Sequence, residues 1–325
     1  MDTRCPDCGQ ELMLGALACP ECHSLLHGEE LTKLSGLARG LEQQGCWGEA
    51  RETWNHSLAL LPPDSKQAEW VREKMAQIAL AQAAPAETRK AAPTWVRRFG
   101  PLAPLVIVLA KSKGLLLAVF KLKFLFSFFS FIAIYVSIFG WWFGLGFAAS
   151  ILIHEMGHYI DIKRRGLPAE APVFVPGLGA YVRWNALGVT KRQIAQISLA
   201  GPLAGWVAAV GCLWMYLHTG EKLWAALAQT GAVINVLNLV PVWELDGGKA
   251  AESLGKTERV CLLAVALLLW SYTGSGVYFL VAAGTVYRLF TKDTPKRDDW
   301  STFIYFAAVL ALLGVVLHLI PAKLM

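Results

Sequence analysis

The chain has 325 residues, of which 55% are hydrophobic and 17% are charged, and its mean hydropathy is +0.44. This composition excludes an ordinary soluble enzyme and predicts a polytopic α-helical membrane protein, because several apolar runs are long enough to cross a bilayer. The net charge of +6 is modest, and the basic residues concentrate in loops, which favours a membrane-orientation signal over nucleic-acid binding. The first apolar run begins near residue 102, so we expect no secretory signal peptide and a soluble N-terminal region.

Two Cys-x-x-Cys pairs lie close together near the N-terminus: Cys5 with Cys8, and Cys19 with Cys22. This spacing is typical of a zinc ribbon, in which four thiolates close a tetrahedral zinc site. A closed site leaves no position for water, so we expect a structural zinc that stabilises residues 1–28. Nucleic-acid binding is the less favoured alternative, because the segment carries little positive charge. The cysteine usage also indicates a reducing compartment.

Residues 31–84 have a helical pattern that is similar, over about 34 residues, to one tetratricopeptide repeat. A single repeat cannot bury its apolar face alone, so it needs a further helix, the ribbon, another copy or a partner chain. A protein-interaction module and a plain helical hairpin are equal alternatives. Residues 85–123 contain a linker rich in alanine and proline, followed by a basic, aromatic-bearing segment that we expect at the cytoplasmic membrane interface.

Residues 124–320 form the predicted membrane domain, with about six or seven transmembrane helices. We predict spans at 124–139, 145–162, 194–217, 223–242 and 302–320. We also predict a helical hairpin at 260–290; a single tilted helix there is the alternative. Basic residues before the first span and after the second place the N-terminus in the cytoplasm. We therefore expect a multi-pass protein, with the bacterial inner membrane as its location.

Residues 166–192 differ from the spans, because prolines alternate there with residues that favour extended structure. We predict a short β-hairpin or re-entrant loop, which membrane depth tolerates only if protein covers it or it lines a wet cavity. Such a hairpin can offer a strand edge to an unwound substrate, or it can be an inert connection.

The second span carries a His-Glu-x-x-His motif, formed by His154, Glu155 and His158. Residues four apart share a helix face, so both imidazoles can reach one zinc ion while the carboxylate lies beside its open position. Ionisable groups at membrane depth are costly and tend to be functional. The motif therefore predicts a metal-assisted hydrolase.

The third and fourth spans carry two further features. Small residues around Gly201 predict close packing against the helix that carries the motif. Asp246 follows Pro241, which should kink or end the fourth helix, and precedes Gly247 and Gly248, which let the backbone turn closely. Zinc held by two histidines lacks one protein ligand, and this carboxylate can supply it while a fourth position stays open for water.

Together, the His154–His158 motif, the Ser-Leu-Ala-Gly-Pro stretch at 198–202 and the Asn-x-x-Pro-x-x-x-Leu-Asp-Gly stretch at 238–247 resemble the site-2 protease family of intramembrane zinc metalloproteases. The resemblance covers residues 124–250. It implies that His154, His158 and Asp246 are zinc ligands, that Glu155 is the catalytic base, and that Asn238 positions the substrate or stabilises the oxyanion. For Asn238, a helix-packing amide is the alternative.

The resemblance also implies that the substrate is a transmembrane helix of another protein, which must unwind locally before cleavage. Many bacterial relatives carry a PDZ domain between the metal motifs, but the loop and two spans fill the segment from His158 to Asp246 here. Substrate selection is then expected to lie in the N-terminal helices, with a protein partner as one possibility. A non-catalytic zinc-binding scaffold and a transporter with a structural zinc are the rival functions.

Overall fold

A computed structural model of the chain describes residues 4–5, 9–21, 24–83, 113–175, 179–184, 187–291, 294–295 and 298–320. It forms two compact units: Glu29–Phe129 is one, and Met1–Gly28 with Ser130–Met325 is the other. Cys8, Cys22 and most of the predicted linker and interfacial segment lie outside the described residues.

The unit at Glu29–Phe129 contains three helices near its start: α1 (Gly28–Gln44), α2 (Trp47–Ala59) and α3 (Lys66–Ala83). Trp54 is fully buried, and its ring meets that of Trp70 edge-on, with centroids 5.4 Å apart. The Trp54 indole donates a hydrogen bond of 2.7 Å to the Glu42 carboxylate. The helical character predicted for this region is confirmed. A third helix, α3, follows the pair α1 and α2 and packs on it through the contact of Trp70 with Trp54.

The other unit is built mainly from helices. These are α4 (Lys113–Phe139), which begins in the first unit, α5 (Trp141–Arg164), α6 (Lys191–Thr219), α7 (Lys222–Asn238), α8 (Asp246–Ala251), α9 (Lys256–Thr273), α10 (Gly276–Leu289) and α11 (Trp300–Leu319). Two of them, α6 and α11, are long and apolar enough to cross a membrane, while α10 and the Leu125–Phe139 part of α4 are shorter apolar helices. The hairpin predicted at 260–290 is present as α9 and α10, with Gly274 in the left-handed conformation between them.

Local sequence signals set the ends of the two central helices. Thr190 and Gln193 form a capping box at the start of α6, and Gly220 ends it in the left-handed conformation. The predicted span at 223–242 is shorter in the structure: α7 ends at Asn238, so of the two effects expected near Pro241, a kink or an end of the helix, the structure has the end. The chain then passes through a short irregular loop into α8.

The segment between α5 and α6 contains a two-stranded antiparallel sheet, β1 (Val173–Val175) and β2 (Gly179–Tyr181). Val173 lies opposite Tyr181, and residues 176–178 lie outside the described part of the chain. Phe174 is buried against Phe131 of α4, with ring centroids 5.3 Å apart. The β-hairpin predicted here is confirmed.

Helices α5 and α6 pack with their backbones very close together. A Cβ atom placed on Gly157 would lie 2.4 Å from the Ala200 carbonyl oxygen. Such distances are shorter than any real contact, so only glycine fits at this crossing. The close packing predicted from the small residues of α6 is therefore confirmed, and it places α6 directly behind the residues of the His-Glu-x-x-His motif.

Candidate metal centre

Three ligand-type side chains from distant parts of the chain meet at one point. The Nε2 atoms of His154 and His158 are 3.2 Å apart, and each lies within 3.3 Å of Asp246 Oδ2, at 3.2 and 3.3 Å respectively. Among the described residues, this is the cluster of histidine, cysteine and acidic side chains that could hold a metal ion. The three atoms thus form a nearly equilateral triangle.

The second ring nitrogen of each histidine has its own partner. His154 Nδ1 lies 2.7 Å from Asn235 Oδ1, and His158 Nδ1 lies 2.8 Å from the Ile197 carbonyl oxygen. Asn235 Nδ2 donates to the Gly231 carbonyl at 2.7 Å, which orients its amide oxygen toward His154. Because both partners are acceptors, both Nδ1 atoms carry the proton, and both Nε2 lone pairs face the triangle.

The triangle fits a zinc ion. Two imidazole lone pairs and a carboxylate oxygen repel one another at such short distances unless a cation lies among them. Around tetrahedral zinc with bonds of about 2.0–2.1 Å, neighbouring ligand atoms lie about 3.3–3.4 Å apart. The observed distances of 3.2 and 3.3 Å match this spacing. Three protein ligands also leave a fourth position open, as in catalytic rather than structural zinc sites.

Glu155 and Asn238 lie beside the triangle. Both line a cavity of about 540 Å³ that also contains His154, His158 and Asp246. Only 5% of the Glu155 surface is exposed. Asn238 Nδ2 lies 3.4 Å from His154 Nε2, so its amide donor is at the edge of the centre. The Glu155 carboxylate, which can act as a base, and the Asn238 amide, which can donate a hydrogen bond, therefore line the same cavity as the two histidines and Asp246.

Asp246 reaches the triangle because the loop after α7 folds back on itself. A Cβ atom on Gly247 would lie 2.1 Å from the Leu239 carbonyl oxygen, and one on Gly248 would lie 2.3 Å from the Trp243 carbonyl oxygen. Trp243 itself has a positive φ of 46°, which is rare for a residue with a side chain. The glycine pair thus allows the tight turn that the sequence predicted around the aspartate.

The sequence analysis missed Asn235. It lies one helical turn before Asn238, so the two amides share a face of α7. Its polarity, close to Asn238 in a largely apolar helix, was the available signal, because such a group needs a partner at membrane depth. The partner, His154 Nδ1, lies on another helix, and only the packed structure identifies it.

At the N-terminus, the structure describes one cysteine of each pair. Cys5 and Cys19 are buried in one small cluster, packed with Leu12 and Leu26. Each is preceded by a residue in an isolated antiparallel bridge, Arg4 with Glu11 and Ala18 with Leu25. The two segments therefore have the same local form, one turn repeated along the chain.

Comparison with known proteins agrees with this geometry. Residues 142–221 match the model of Peptidase family M50. The matched region contains the His154–His158 motif and the helix that packs behind it. Two of the three side chains of the cluster that could hold a metal ion, His154 and His158, lie within the matched residues, and Asp246 follows them.

The chain is also similar to plant zinc metalloproteases. It is 25% identical over 231 residues to "Probable zinc metalloprotease EGY1, chloroplastic" of Oryza sativa subsp. japonica, covering 54% of this chain and 40% of that protein. It is 26% identical over 168 residues to "Probable zinc metalloprotease EGY2, chloroplastic" of Oryza sativa subsp. indica, covering 37% of this chain and 31% of that protein. The chain thus spans less than half the length of these relatives. No solved structure matches it.

Proposed function

We propose that this protein is an intramembrane zinc metalloprotease that hydrolyses peptide bonds in or near the transmembrane helices of membrane-anchored proteins. The convergence of His154, His158 and Asp246 within 3.3 Å of one another, in a cavity that also contains Glu155, is the observation that carries the proposal. The M50 match and the similarity to zinc metalloproteases support it.

In this proposal His154, His158 and Asp246 hold the catalytic zinc. When bound, zinc polarises a substrate carbonyl and lowers the pKa of a bound water toward neutral pH. Asn235 and the Ile197 carbonyl keep both imidazoles in the tautomer that presents Nε2 to the metal. His154, Glu155 and His158 are themselves buried, which strengthens these interactions relative to those of exposed groups.

Glu155 and Asn238 perform the two remaining tasks of peptide hydrolysis. The Glu155 carboxylate takes a proton from the attacking water and passes it to the leaving amine. The Asn238 amide donates a hydrogen bond to the oxygen that becomes negative in the tetrahedral intermediate, without adding a full charge. Its position 3.4 Å from His154 Nε2 supports that role.

Peptide bonds within a helix are shielded, so the substrate must unwind before it is cut. The β-hairpin supports a way to hold the unwound segment, because Gly179, Ala180 and Tyr181 of β2 line the same cavity as Glu155. An extended peptide added to a strand edge gains backbone hydrogen bonds that an unwound helix has lost. We propose that β2 offers such an edge.

The rest of the predicted architecture extends this proposal. We propose a multi-pass protein of about six or seven spans whose N-terminus faces the cytoplasm, in the bacterial inner membrane. Cys5, Cys8, Cys19 and Cys22 hold a structural zinc, which the buried, repeated turns at Cys5 and Cys19 support. The helices at 31–84 then select substrate or bind a protein partner, in place of a PDZ domain.

The test is to replace Glu155 with glutamine in the full-length protein reconstituted in lipid. We expect cleavage of a membrane-anchored substrate to fall about 10²- to 10⁴-fold, because the general base is lost while the metal ligands remain. Zinc content, measured by mass spectrometry, should be unchanged. Glu221→Gln is the matched control, since Glu221 is an exposed residue at the start of α7 whose side chain makes no capping hydrogen bond. If the Glu155→Gln protein cleaves normally, the protease proposal is wrong. A zinc-loaded wild-type protein that cleaves no membrane substrate would favour the scaffold alternative.

A further inference from the structure

The loop that carries Asp246 is held by a buried arginine from a different helix. Arg288 of α10 donates from Nε to the Pro241 carbonyl oxygen at 3.1 Å and from Nη2 to the Gly248 carbonyl oxygen at 2.9 Å. Only 9% of its side chain is exposed. The planar guanidinium of Arg288 therefore links a backbone carbonyl before Asp246, that of Pro241, to one after it, that of Gly248. These two bonds close the turn around the aspartate.

A second buried arginine fixes the next part of the same segment. Arg259 of α9 is completely buried and donates from Nη2 to the Ala251 carbonyl oxygen, the last residue of α8, at 3.1 Å. Its Nη1 donates to the Arg288 carbonyl oxygen and, at 3.0 Å, to Thr291 Oγ1. Arg259 thus binds the Ala251 carbonyl at the end of α8. It also binds the backbone carbonyl of Arg288, whose side chain binds the Gly248 carbonyl near the start of α8.

The contact between α10 and the loop is also tight in its apolar part. A Cβ atom on Gly284 would lie 3.0 Å from Pro241 Cδ and 3.0 Å from Val240 Cγ1. The loop therefore packs directly on α10 at Gly284, where a larger side chain would press on Val240 and Pro241. Hydrogen bonds to a charged donor are stronger than neutral ones, and a guanidinium can make two of them in one plane.

This arrangement bears on metal binding because of where Asp246 comes from. The two histidines are four residues apart on one helix, which fixes their spacing, but the aspartate is the first residue of the short helix α8 and directly follows an irregular loop. A metal ligand must be held within about 0.5 Å of its productive position. Burying an arginine is costly, and Arg288 is paired with Glu252, whose Oε1 lies 3.7 Å from its Nη2. Its hydrogen bonds to the Pro241 and Gly248 carbonyl oxygens, in contrast, bracket the third ligand-type residue.

We propose that Arg288 is a positioning residue for the third metal ligand, with Arg259 holding Arg288 and the end of α8 in place. The inference rests on the proposed zinc centre. Residues that orient a ligand from behind typically change metal affinity about 10- to 100-fold when they are replaced. Neither α9 nor α10 contributes a residue to the triangle itself, so this role would extend the functional unit to those two helices.

The experiment measures the zinc dissociation constant of the His154–His158–Asp246 centre by competition with a chelator, for Arg288→Gln and Arg288→Lys, in full-length protein whose Cys5, Cys8, Cys19 and Cys22 are replaced by serine so that the proposed cysteine site does not contribute. We expect it to rise about 100-fold for glutamine and about 10-fold for lysine, which keeps the charge but cannot reach both carbonyl oxygens at once. Arg192→Gln is the matched control, because Arg192 also contacts polar side chains of another segment, Asp299 and Ser301, but is more than half exposed. The cobalt-loaded proteins supply a second readout, since a displaced carboxylate changes the visible absorption of the bound ion while a purely structural role would not.

Asp246→Asn separates the possible results. If Asp246→Asn binds zinc like the wild type at this site, the proposed metal centre itself is wrong. If Asp246→Asn loses that zinc while both Arg288 variants bind it with wild-type affinity and an unchanged cobalt spectrum, the positioning role alone is wrong. Should Arg288→Gln not fold, Arg288→Lys decides, and wild-type affinity in that variant overturns the inference.

Discussion

The N-terminal cysteine segment and the His154–Asp246 centre place ligand-type residues in opposite ways. Cys5 and Cys19 lie in one small cluster, each beside a copy of one short turn, so residues close together in the sequence define that cluster. The histidines and the aspartate come from α5 and from the loop after α7, and helix α6 must pack between them and the rest of the bundle. A local site needs little beyond its own turns, whereas a distributed site depends on every contact that holds its helices.

We expect the largest loss of zinc binding from a substitution that disturbs the packing of α6 behind the histidines. A Cβ atom on Gly201 would lie 2.1 Å from His158 Nε2, the very atom that faces the triangle. We expect Gly201→Ala to displace the imidazole, abolish zinc binding at this centre and destabilise the protein by about 1–3 kcal/mol through overpacking. Zinc content and thermal unfolding measure both effects.

Gly211→Ala is the matched control, because it lies on the same helix with nothing within 4 Å of the new Cβ. It should bind zinc normally. If both alanine variants retain zinc to the same degree, the close approach of α6 to the ligands is not needed for the site.

A smaller effect should follow from removing the support of His154. Asn235→Leu leaves His154 Nδ1 without its acceptor and frees the ring to rotate or to change tautomer. We expect zinc affinity to fall about 10- to 100-fold, with the fold retained. Titration with a competing chelator gives the affinity. Asn238→Leu removes a neighbouring amide that is not bonded to Nδ1, so it should reduce cleavage more than zinc affinity; the opposite order would contradict the roles assigned to the two asparagines.

The same contrast explains what the sequence could predict. The motif at His154 and the turn at Asp246 were readable because their chemistry is local: four-residue spacing on a helix, and a proline and a glycine pair around a carboxylate. The helical hairpin at 260–290 and the β-hairpin could be predicted for the same reason, because glycines and prolines in the local sequence indicate their turns. Asn235 and Arg288 could not be, because each acts on a residue far away in the chain. Their polarity indicates that each needs a partner, but the sequence around them does not identify it.

We propose that one zinc ion binds among His154, His158 and Asp246, and zinc X-ray absorption tests this on the metal itself. The sample is full-length protein in which Cys5, Cys8, Cys19 and Cys22 are replaced by serine, so that no thiolate pair competes for the metal. We expect a bound zinc with only nitrogen and oxygen ligands, two of them imidazoles at about 2.0–2.1 Å. If the protein binds no zinc, or binds it without imidazole ligands, the proposed centre is wrong.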